Sequence, residues 1–236
     1  MRWGTYASPA DGSVHPGLLD DGMTFGLAGA GALVELLGDD GSGLRAAARR
    51  ALDDPFEVIP EFETDLLAPV PAPPSVRLGA SAAAVDVRGP FDAVPATVPR
   101  LGCRLEIGAI IGRPPEDDGG PAPARVAGYT LLGVWTSGDA EFAVTMGPHL
   151  ITPDEPVHGP VRATIAVNDA PVAEGAIEDL PGVLARAIAA AGRAAALTTG
   201  TVVGSGALCR ADLAPDDEVV LRADPLGVLD HRLTSG

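Results

Sequence analysis

The stretch that decides the fold is CRLEIGAIIGR at residues 103–113, and GYTLLGVWTSGD at residues 128–139 follows it after a connection of 14 residues. The first segment alternates between polar and apolar residues and then becomes continuously apolar, which is typical of a buried strand. The second segment is another apolar run of strand length. A polar loop at residues 114–124 separates them, so the middle of the chain predicts two long, buried strands.

The composition agrees with a large β-rich domain. The chain has 236 residues, of which 46% are hydrophobic, and this is enough to bury one large domain, alone or with a small appendage. Thirty Gly and 23 Pro, with only 4% aromatic residues, indicate many turns and short elements. We therefore expect strands to dominate. Further strands are expected at residues 142–151, 161–167 and 219–223, and helices at residues 30–37, 43–52 and 180–196.

The charge balance narrows the range of partners. The chain has 32 acidic and 16 basic residues, which gives a formal net charge of −16. Phosphate backbones and anionic membrane surfaces would be repelled, so we expect neither nucleic acid nor a membrane as a partner. No signal peptide and no membrane-spanning run are apparent, and we expect a cytoplasmic location. Cys103 and Cys209 make no metal or disulfide pattern and are expected to be buried, reduced thiols.

A proline-rich segment marks the clearest boundary in the sequence. LLAPVPAPP at residues 66–74 has four prolines in six residues, which exclude a helix and favour an extended tether. We therefore predict a small N-terminal domain over residues 1–66 and a main domain over residues 67–236.

Generic motifs for catalysis or metal binding are weak in this chain. GLAGAG at residues 26–31 lacks the third glycine of a dinucleotide loop, and TTGTVVGSG at residues 198–206 lacks the lysine of a phosphate loop. The four histidines have no paired spacing that would hold zinc. They are His15, His149, His158 and His231.

Six segments, taken in chain order, resemble the fumarylacetoacetate hydrolase family. RLEIGAIIG is similar to the family's E-x-E-L-A-x-V-I-G, and GYTLLGVWTSGD to its G-Y-T-x-x-N-D-x-S-A-R-D. MGPHLITPDE resembles G-P-W-x-V-T-P-D-E, VNDAPVAEG resembles V-N-G-x-x-x-Q-x-G, and TTGTVVGSG resembles S-G-T-x-x-G-x-G. The final LAPDDEVVLRADPLGVLDHRL resembles the family's closing segment. The resemblance implies an α+β, β-rich fold, with a mixed β-sandwich or roll as the main domain and a small N-terminal α/β domain.

The same resemblance implies a divalent metal, usually magnesium or calcium, that polarises a 1,3-dicarbonyl or 2-oxo acid. Most of the family's ligand positions are changed in this chain. The first Glu of E-x-E is Arg104, the second is retained as Glu106, and the Asp of N-D falls on Val134. Other family positions, an Asp, a His, a Lys and a Gln, fall on or near Leu78, Val85, Ala140 and Ala173. We therefore expect that the metal is lost and that the chain has no cofactor.

Two hypotheses follow from this altered site. In the first, the chain is a metal-independent enzyme in which Arg104 replaces the charge of the metal and binds a substrate carboxylate or an enolate oxygen. Glu106 would pair with it or act as a general acid or base, and Asp139 and His149 are further catalytic candidates. Trp135, Glu141 and Thr201 are candidate substrate-binding residues. The substrate would be a small oxo acid that undergoes C–C cleavage, decarboxylation, dehydration or cyclisation.

In the second hypothesis, the chain is a non-catalytic scaffold or the partner of an active paralogue. Arg104 and Glu106 lie two residues apart on one strand face and would then form a buried ion pair that replaces the metal structurally. Small residues at several family positions, such as Gly133, favour this alternative. In either case, the family resemblance implies a homodimer.

Overall fold

The computed structural model describes residues 1–29, 31–38, 42–79, 81–83, 85–112, 126–155 and 159–235. The strands in these ranges are β1 (Arg2–Ala7), β2 (Val14–Asp20), β3 (Met23–Leu27), β4 (Pro55–Pro60), β5 (Asp65–Leu67), β6 (Val76–Leu78), β7 (Ser81–Ala83), β8 (Asp86–Arg88), β9 (Val94–Pro95), β10 (Leu101–Ile111), β11 (Val126–Ser137), β12 (Ala140–Ile151), β13 (Val161–Val167), β14 (Ala170–Ile177), β15 (Val202–Gly204), β16 (Cys209–Asp212), β17 (Glu218–Asp224) and β18 (Gly227–Thr234). The α-helices are α1 (Ser42–Asp53) and α2 (Leu180–Ala194), and short 3₁₀ helices cover Leu33–Leu36 and Glu61–Glu63.

Two sheets contain these strands. The larger sheet has the order β4-β3-β2-β1-β12-β11-β10-β15-β6-β7, with β5 beside β1, β8 beside β12 and β16 beside β10. The smaller sheet has the order β14-β13-β17-β18-β9. Most pairs are antiparallel, while β8, β6 and β9 each join a neighbour in parallel. The predicted fold class, β-rich with mixed sheets, is therefore confirmed.

Strand β10 lies between two hydrophobic cores, and both of its faces are buried, as its apolar run predicts. Cys103, Leu105 and Ile107 belong to a core that also contains Val161, Leu221 and Leu229 of the smaller sheet, together with residues of α2. Ile110 belongs to a second core, with Trp3, Leu44 and residues of β11 and β12. Period-two alternation sends odd and even positions of β10 to opposite cores. Arg104 and Glu106 are therefore charged residues on an otherwise apolar face.

The N-terminal strands are continuous with the larger sheet. Strand β1 pairs with β12 through Arg2 opposite Ile151 and Trp3 opposite Leu150. The proline-rich segment packs against this sheet, since Ala68 and Val70 are buried and Thr5 Oγ1 donates a 2.8 Å hydrogen bond to the carbonyl of Pro69. The division of the chain at residues 66 and 67 stays a prediction, and the segment itself is packed rather than a free tether.

Local signals account for several boundaries. Asn168 and Asp169 have φ of 50° and 66°, which is the left-handed geometry of the predicted hairpin turn between β13 and β14. Helix α2 begins after Asp179, whose carboxylate accepts a 2.9 Å hydrogen bond from the Gly182 amide. In the described part of residues 30–37, the expected helix is only the 3₁₀ turn Leu33–Leu36, because Gly31 and Gly38 leave too few residues between them for a stable helix.

No helix among the described residues is long and apolar enough to cross a membrane. The two cysteines are free and buried, as expected, and burial raises the pKa of Cys103 to about 12 and that of Cys209 to about 11. Both thiols are therefore protonated and unreactive near neutral pH.

Candidate active site

The centre of the site is an arginine between two carboxylates. Arg104 Nη2 donates a 2.8 Å hydrogen bond to Oε1 of Glu141, and Arg104 Nε lies 3.3 Å from Oε1 of Glu106. The side chain of Glu106 is only 3% exposed, whereas those of Arg104 and Glu141 are 20% and 29% exposed. The guanidinium therefore spans from a buried carboxylate to a partly solvated one.

A β-bulge in strand β12 places Glu141 at this position. The pairing of β11 with β12 matches Trp135 with Ala143 and then Thr136 with Glu141, so Phe142 is the extra residue. An extra residue reverses the face on which the preceding side chains lie. Phe142 packs against the core on the Trp135 side, and Glu141 lies on the side of Arg104.

Glu106 is held from its other side by a glycine-rich turn. The Gly206 amide donates a 3.1 Å hydrogen bond to Oε2 of Glu106, and the Ile107 amide donates a 3.0 Å hydrogen bond to Oγ of Ser205. A Cβ atom on Gly204 would collide with Oε2 of Glu106, so the carboxylate occupies the space that a side chain would take. Burial raises the pKa of Glu106, while Arg104 and the Gly206 amide oppose this effect.

A cavity of about 320 Å³ opens beside Arg104. Two further arginines, Arg100 and Arg210, line it, together with Asp139 and Asp212. Strand β16 brings Arg210 directly opposite Arg104 in the sheet. Neither Arg100 nor Arg210 forms an ion pair with another residue in the described ranges. The cavity therefore presents guanidinium groups and carboxylates side by side, in a chain with a net charge of −16.

Apolar residues occupy the positions where the family resemblance places acidic ligands. Val134 pairs directly with Arg104 across β10 and β11 and is fully buried. A Cβ atom on Gly204 would lie 3.1 Å from Cδ2 of Leu78, so Leu78 lies over the same glycine as Glu106. The wall around Glu106 is thus apolar apart from Arg104 and the glycine-rich turn.

The structure brings together four of the seven predicted site residues. Arg104, Glu106 and Glu141 form the ion-paired group, and Asp139 lines the cavity beside Arg104. Trp135 is fully buried on the opposite face of β11, where its Nε1 donates a 3.2 Å hydrogen bond to Thr145 and its ring meets His231 edge-on. The structure therefore separates Trp135 from the cavity.

Thr201 and His149 also lie apart from Arg104. The carbonyl of Thr201 accepts a hydrogen bond from the Ile111 amide, at the far end of β10, roughly 23 Å along the strand from Arg104. The hydroxyl of Thr201 accepts a 3.2 Å hydrogen bond from the Thr198 amide. His149 lines a different cleft. His158 and the loop at residues 114–124 fall outside the described residues.

Sequence reasoning missed Arg100, Arg210 and the role of the turn at residues 204–206. The pairing of β16 with β10 is a long-range contact with no local signal, so nothing in the sequence placed Arg210 beside Arg104. The glycines at 204 and 206 were visible as part of the family's S-G-T-x-x-G-x-G segment and of an incomplete phosphate-loop motif, but neither pattern indicated a contact with Glu106. Gly204 leaves room for the Glu106 carboxylate, and Gly206 adopts a φ of 85°, which favours glycine.

Comparison with known proteins shows the family. The family model described as Fumarylacetoacetate (FAA) hydrolase C-terminal matches residues 60–234, which is most of the chain. The chain therefore belongs to the fumarylacetoacetate hydrolase family. No curated protein sequence matches it at a significant level.

Solved structures of low sequence identity have the same fold. Maleylpyruvate hydrolase from Sphingobium sp. SYK-6 is 21% identical, with a TM-score of 0.78 and full coverage of both chains. A probable 2-hydroxyhepta-2,4-diene-1,7-dioate isomerase from Mycobacterium abscessus is 22% identical, with a TM-score of 0.76, and covers 100% of this chain and 99% of its own. Fumarylacetoacetate hydrolase from Exiguobacterium antarcticum is 18% identical, with a TM-score of 0.78 and full coverage of both chains.

One of these structures corrects the prediction that the chain has no cofactor. The Sphingobium enzyme was crystallised with manganese(II) and pyruvate, which points to a metal cofactor in this family. The prediction was wrong because it inferred the cofactor requirement of the whole chain from a few changed ligand positions.

The residues in the described ranges do not fit such an ion at Glu106. Hard divalent ions take about six or more oxygen ligands, usually with several carboxylates. Here only Glu106 and Glu141 are available, and Arg104 engages both. The described residues contain no group of three or more His, Cys, Asp or Glu side chains that could hold a metal. We therefore assign no metal-dependent step to these residues.

Proposed function

We propose that the chain is an enzyme that acts on a small 2-oxo or 1,3-dicarbonyl acid through an enolate. The observation that carries this proposal is the position of Arg104, which Glu106 and Glu141 fix at the wall of a cavity of about 320 Å³. Its Nη1 makes no hydrogen bond or ion pair with another described residue, so donors remain for a ligand. A fixed guanidinium can pair with a carboxylate or stabilise an enolate oxygen as negative charge develops on it.

The residues around Arg104 would have different roles. Asp139 and Asp212 both line the cavity, and Asp139, the candidate from the sequence, would accept or return a proton at the substrate carbon. Glu106 lies behind Arg104 and does not line this cavity, so its role is to position the guanidinium. Arg100 and Arg210, which line the cavity beside Asp139 and Asp212, supply further guanidinium donors for the carboxylate of an acid substrate. The reaction would be C–C cleavage, decarboxylation, dehydration or cyclisation.

The non-catalytic alternative also has an observation in its favour. Both oxygens of Glu106 have partners, Arg104 and the Gly206 amide, and Leu78 packs over Gly204 beside them. An ion pair covered by apolar side chains is compatible with a purely structural role for Arg104. Under this alternative, Arg104 stabilises the sheet and no substrate is turned over.

A panel of acids separates the two functions. The wild-type chain would be incubated with acylpyruvates, maleylpyruvate and oxaloacetate, with manganese(II) added and with a chelator, while loss of the enol or carbonyl absorbance is followed. The proposal expects turnover of at least one acid. Absence of turnover across the panel, in a chain shown to be folded by circular dichroism, would favour the scaffold.

We also propose that the chain forms a homodimer and acts in the cytoplasm, without nucleic acid or membrane partners. The family resemblance supports the dimer, and the net charge of −16 disfavours binding to nucleic acid or anionic lipid. Light scattering tests the oligomeric state, with an expected mass of twice the 23.8 kDa of one chain.

A further inference from the structure

A second cleft, of about 680 Å³, lies away from Arg104. Its walls come from the 3₁₀ helix Glu61–Glu63, the turn before β9, the end of β12 and the turn between β17 and β18. Its volume is within the usual range for small-molecule sites. The residues that matter here are Phe62, Phe91, Arg2 and His149.

Two phenyl groups stand in solvent at this cleft. Phe62 is 86% exposed and Phe91 is 55% exposed. Exposed aromatic groups that line a common cleft indicate a surface for an apolar ligand. Free of such a ligand, each phenyl group loses the stabilisation that burial gives to an aromatic side chain.

Hydrogen bonds fix the turn that holds Phe91. The Asp230 amide donates a 3.0 Å hydrogen bond to the Pro90 carbonyl, and a ring nitrogen of His231 lies 2.8 Å from the Asp92 carbonyl. The Gly89 amide also donates a 2.6 Å hydrogen bond to the Asp92 carboxylate. Strand β18 therefore anchors this turn on both sides of Phe91, and the exposure of its ring is built into the fold.

The turn that holds Phe62 is fixed in a similar way. The Glu61 amide donates a 2.8 Å hydrogen bond to the Gly22 carbonyl, and the Thr64 amide donates a 3.2 Å hydrogen bond to the Glu61 carbonyl. The Thr64 hydroxyl adds a 3.0 Å hydrogen bond to the Pro60 carbonyl. Both aromatic groups are therefore presented by ordered turns, which reduces the entropy lost when a ligand binds.

The polar groups of the cleft favour an anion. His149 is 5% exposed, its Nδ1 is buried without a hydrogen-bond partner, and its Nε2 has no partner among the described residues. Nε2 is not among the buried atoms that lack a partner, so it is the ring nitrogen that remains open to a ligand in the cleft. Arg2 lines the same cleft and has no ion pair within the described ranges. Glu61 is the one acidic side chain among the lining residues, and Glu155 also acts electrostatically on His149.

We propose that this cleft binds a small aromatic carboxylate, with its ring against Phe62 and Phe91 and its carboxylate at Arg2 and His149. The two phenyl groups supply the apolar surface, and the guanidinium and the imidazole N–H supply donors for the carboxylate. Burial and the charge of Arg2 lower the pKa of His149 to about 4, so the imidazole is neutral at pH 7 and Arg2 provides the positive charge. The cleft is separate from the cavity at Arg104.

Titration with phenylacetate tests this site. The imidazole resonances of His149, identified by their absence from His149→Gln, would be followed by NMR as phenylacetate is added. The proposal expects saturable shifts of these resonances. Phenylacetamide, which lacks the charge, and acetate, which lacks the ring, should each bind about tenfold more weakly or worse.

Variants at exposed positions give matched comparisons. Phe62→Ala, Phe91→Ala and Arg2→Gln should each weaken phenylacetate binding by about tenfold, whereas Phe56→Ala and Arg49→Gln should leave it unchanged. Phe56 is an exposed phenylalanine and Arg49 an exposed arginine, both outside the cleft.

Three results would overturn the proposal. The first is the absence of any saturable shift at His149 in the folded wild-type chain. The second is equal binding of phenylacetate and phenylacetamide, which would remove the role of the carboxylate. The third is a change in solution mass in the Phe62→Ala and Phe91→Ala variants without a change in binding, which would show that these side chains serve a contact between subunits.

Discussion

Arg104 Nη2 donates a 2.8 Å hydrogen bond to Oε1 of Glu141 across strand β11, although the two residues belong to strands that are not neighbours in the sheet. The bulge at Phe142 makes this possible, because it moves Glu141 to the face that carries Arg104. Glu106 contacts the same guanidinium at 3.3 Å. The arginine is therefore oriented by two carboxylates and still lines a cavity.

The bond to Glu141 predicts a graded effect of substitution. Glu141→Gln keeps an oxygen acceptor for Arg104 Nη2, whereas Glu141→Ala removes it. We expect kcat/KM to fall by about tenfold in Glu141→Ala, as for loss of one charge-assisted hydrogen bond, and by less in Glu141→Gln. Steady-state kinetics on the best acid of the panel measures the difference. Equal losses in the two variants would show that the hydrogen bond does not orient Arg104.

Burial of Glu106 predicts a pH dependence of stability. Its pKa is raised above the ordinary value of 4.5, so its contribution to stability is complete below the unfolded pKa and is lost as the pH rises through the folded pKa. Glu106→Gln cannot titrate. The free energy of unfolding of the wild type, minus that of Glu106→Gln, should therefore decrease as the pH rises from 4.5 towards neutrality.

Urea denaturation at a series of pH values measures this difference. Glu141→Gln serves as the comparison. Glu141 is the other carboxylate that pairs with Arg104, and its side chain is more exposed than that of Glu106. A difference between wild type and Glu106→Gln that stays constant over the whole range would contradict the direction of the pKa shift.

The close approach of Glu106 to Gly204 predicts that Gly204→Ala disrupts the site. The added Cβ would collide with Oε2 of Glu106 and come within 3.1 Å of Leu78, so the carboxylate must move away from the Gly206 amide. We expect a loss of about 1–3 kcal/mol in the free energy of unfolding, together with a loss of activity.

Gly192→Ala is the matched control for this substitution. Gly192 lies in helix α2, where an added Cβ meets its nearest neighbour at an ordinary 3.8 Å. This variant should be stabilised by up to about 1 kcal/mol and retain full activity, because alanine favours a helix. A Gly204→Ala variant that behaves like Gly192→Ala would show that the Glu106 carboxylate is not confined by the turn.

The position of Trp135 predicts a structural role. Its ring is fully buried and its Nε1 donates to Thr145 on the face opposite Arg104. Trp135→Phe should lower the free energy of unfolding by about 1–3 kcal/mol and leave KM unchanged within about twofold. Denaturation and kinetics on the same preparation test both parts. A large rise in KM with little loss of stability would restore Trp135 as a substrate contact.

His149 should titrate far below an ordinary histidine. Burial and the charge of Arg2 lower its pKa to about 4. Its contribution to stability is therefore complete above the unfolded pKa and is lost as the pH falls through about 4, with a maximum of roughly 3 kcal/mol. An NMR titration of the imidazole, assigned with His149→Gln, measures the pKa directly. A midpoint near 6.5 would mean that the imidazole is solvated.

The sequence predicted the parts of the fold that depend on local periodicity. Strands β10 to β13 and helix α2 follow from continuous or periodic apolar runs, and the hairpin after β13 follows from Asn168 and Asp169. The ion pair of Arg104 with Glu106 follows from period-two spacing on one strand. These features need only residues that are near one another in the chain.

The remaining features depend on long-range pairing. Strand β16 places Arg210 opposite Arg104, and the bulge at Phe142 redirects Glu141, but neither has a local signature. The placement of His149 depends on which loops surround the end of β12. The sequence shows that His149 is a possible catalytic residue but not which cavity it lines. The predicted site therefore included residues from two different cavities.

The most direct measurement of the central claim is kcat/KM for Arg104→Met beside Arg222→Met, on an acid that the wild type turns over. Methionine keeps much of the side-chain volume but removes the charge, and Arg222 is an exposed arginine on strand β17 outside the cavity. The account predicts a loss of about 100-fold or more in a folded Arg104→Met chain, and wild-type activity in Arg222→Met. Wild-type activity in a folded Arg104→Met chain would contradict it.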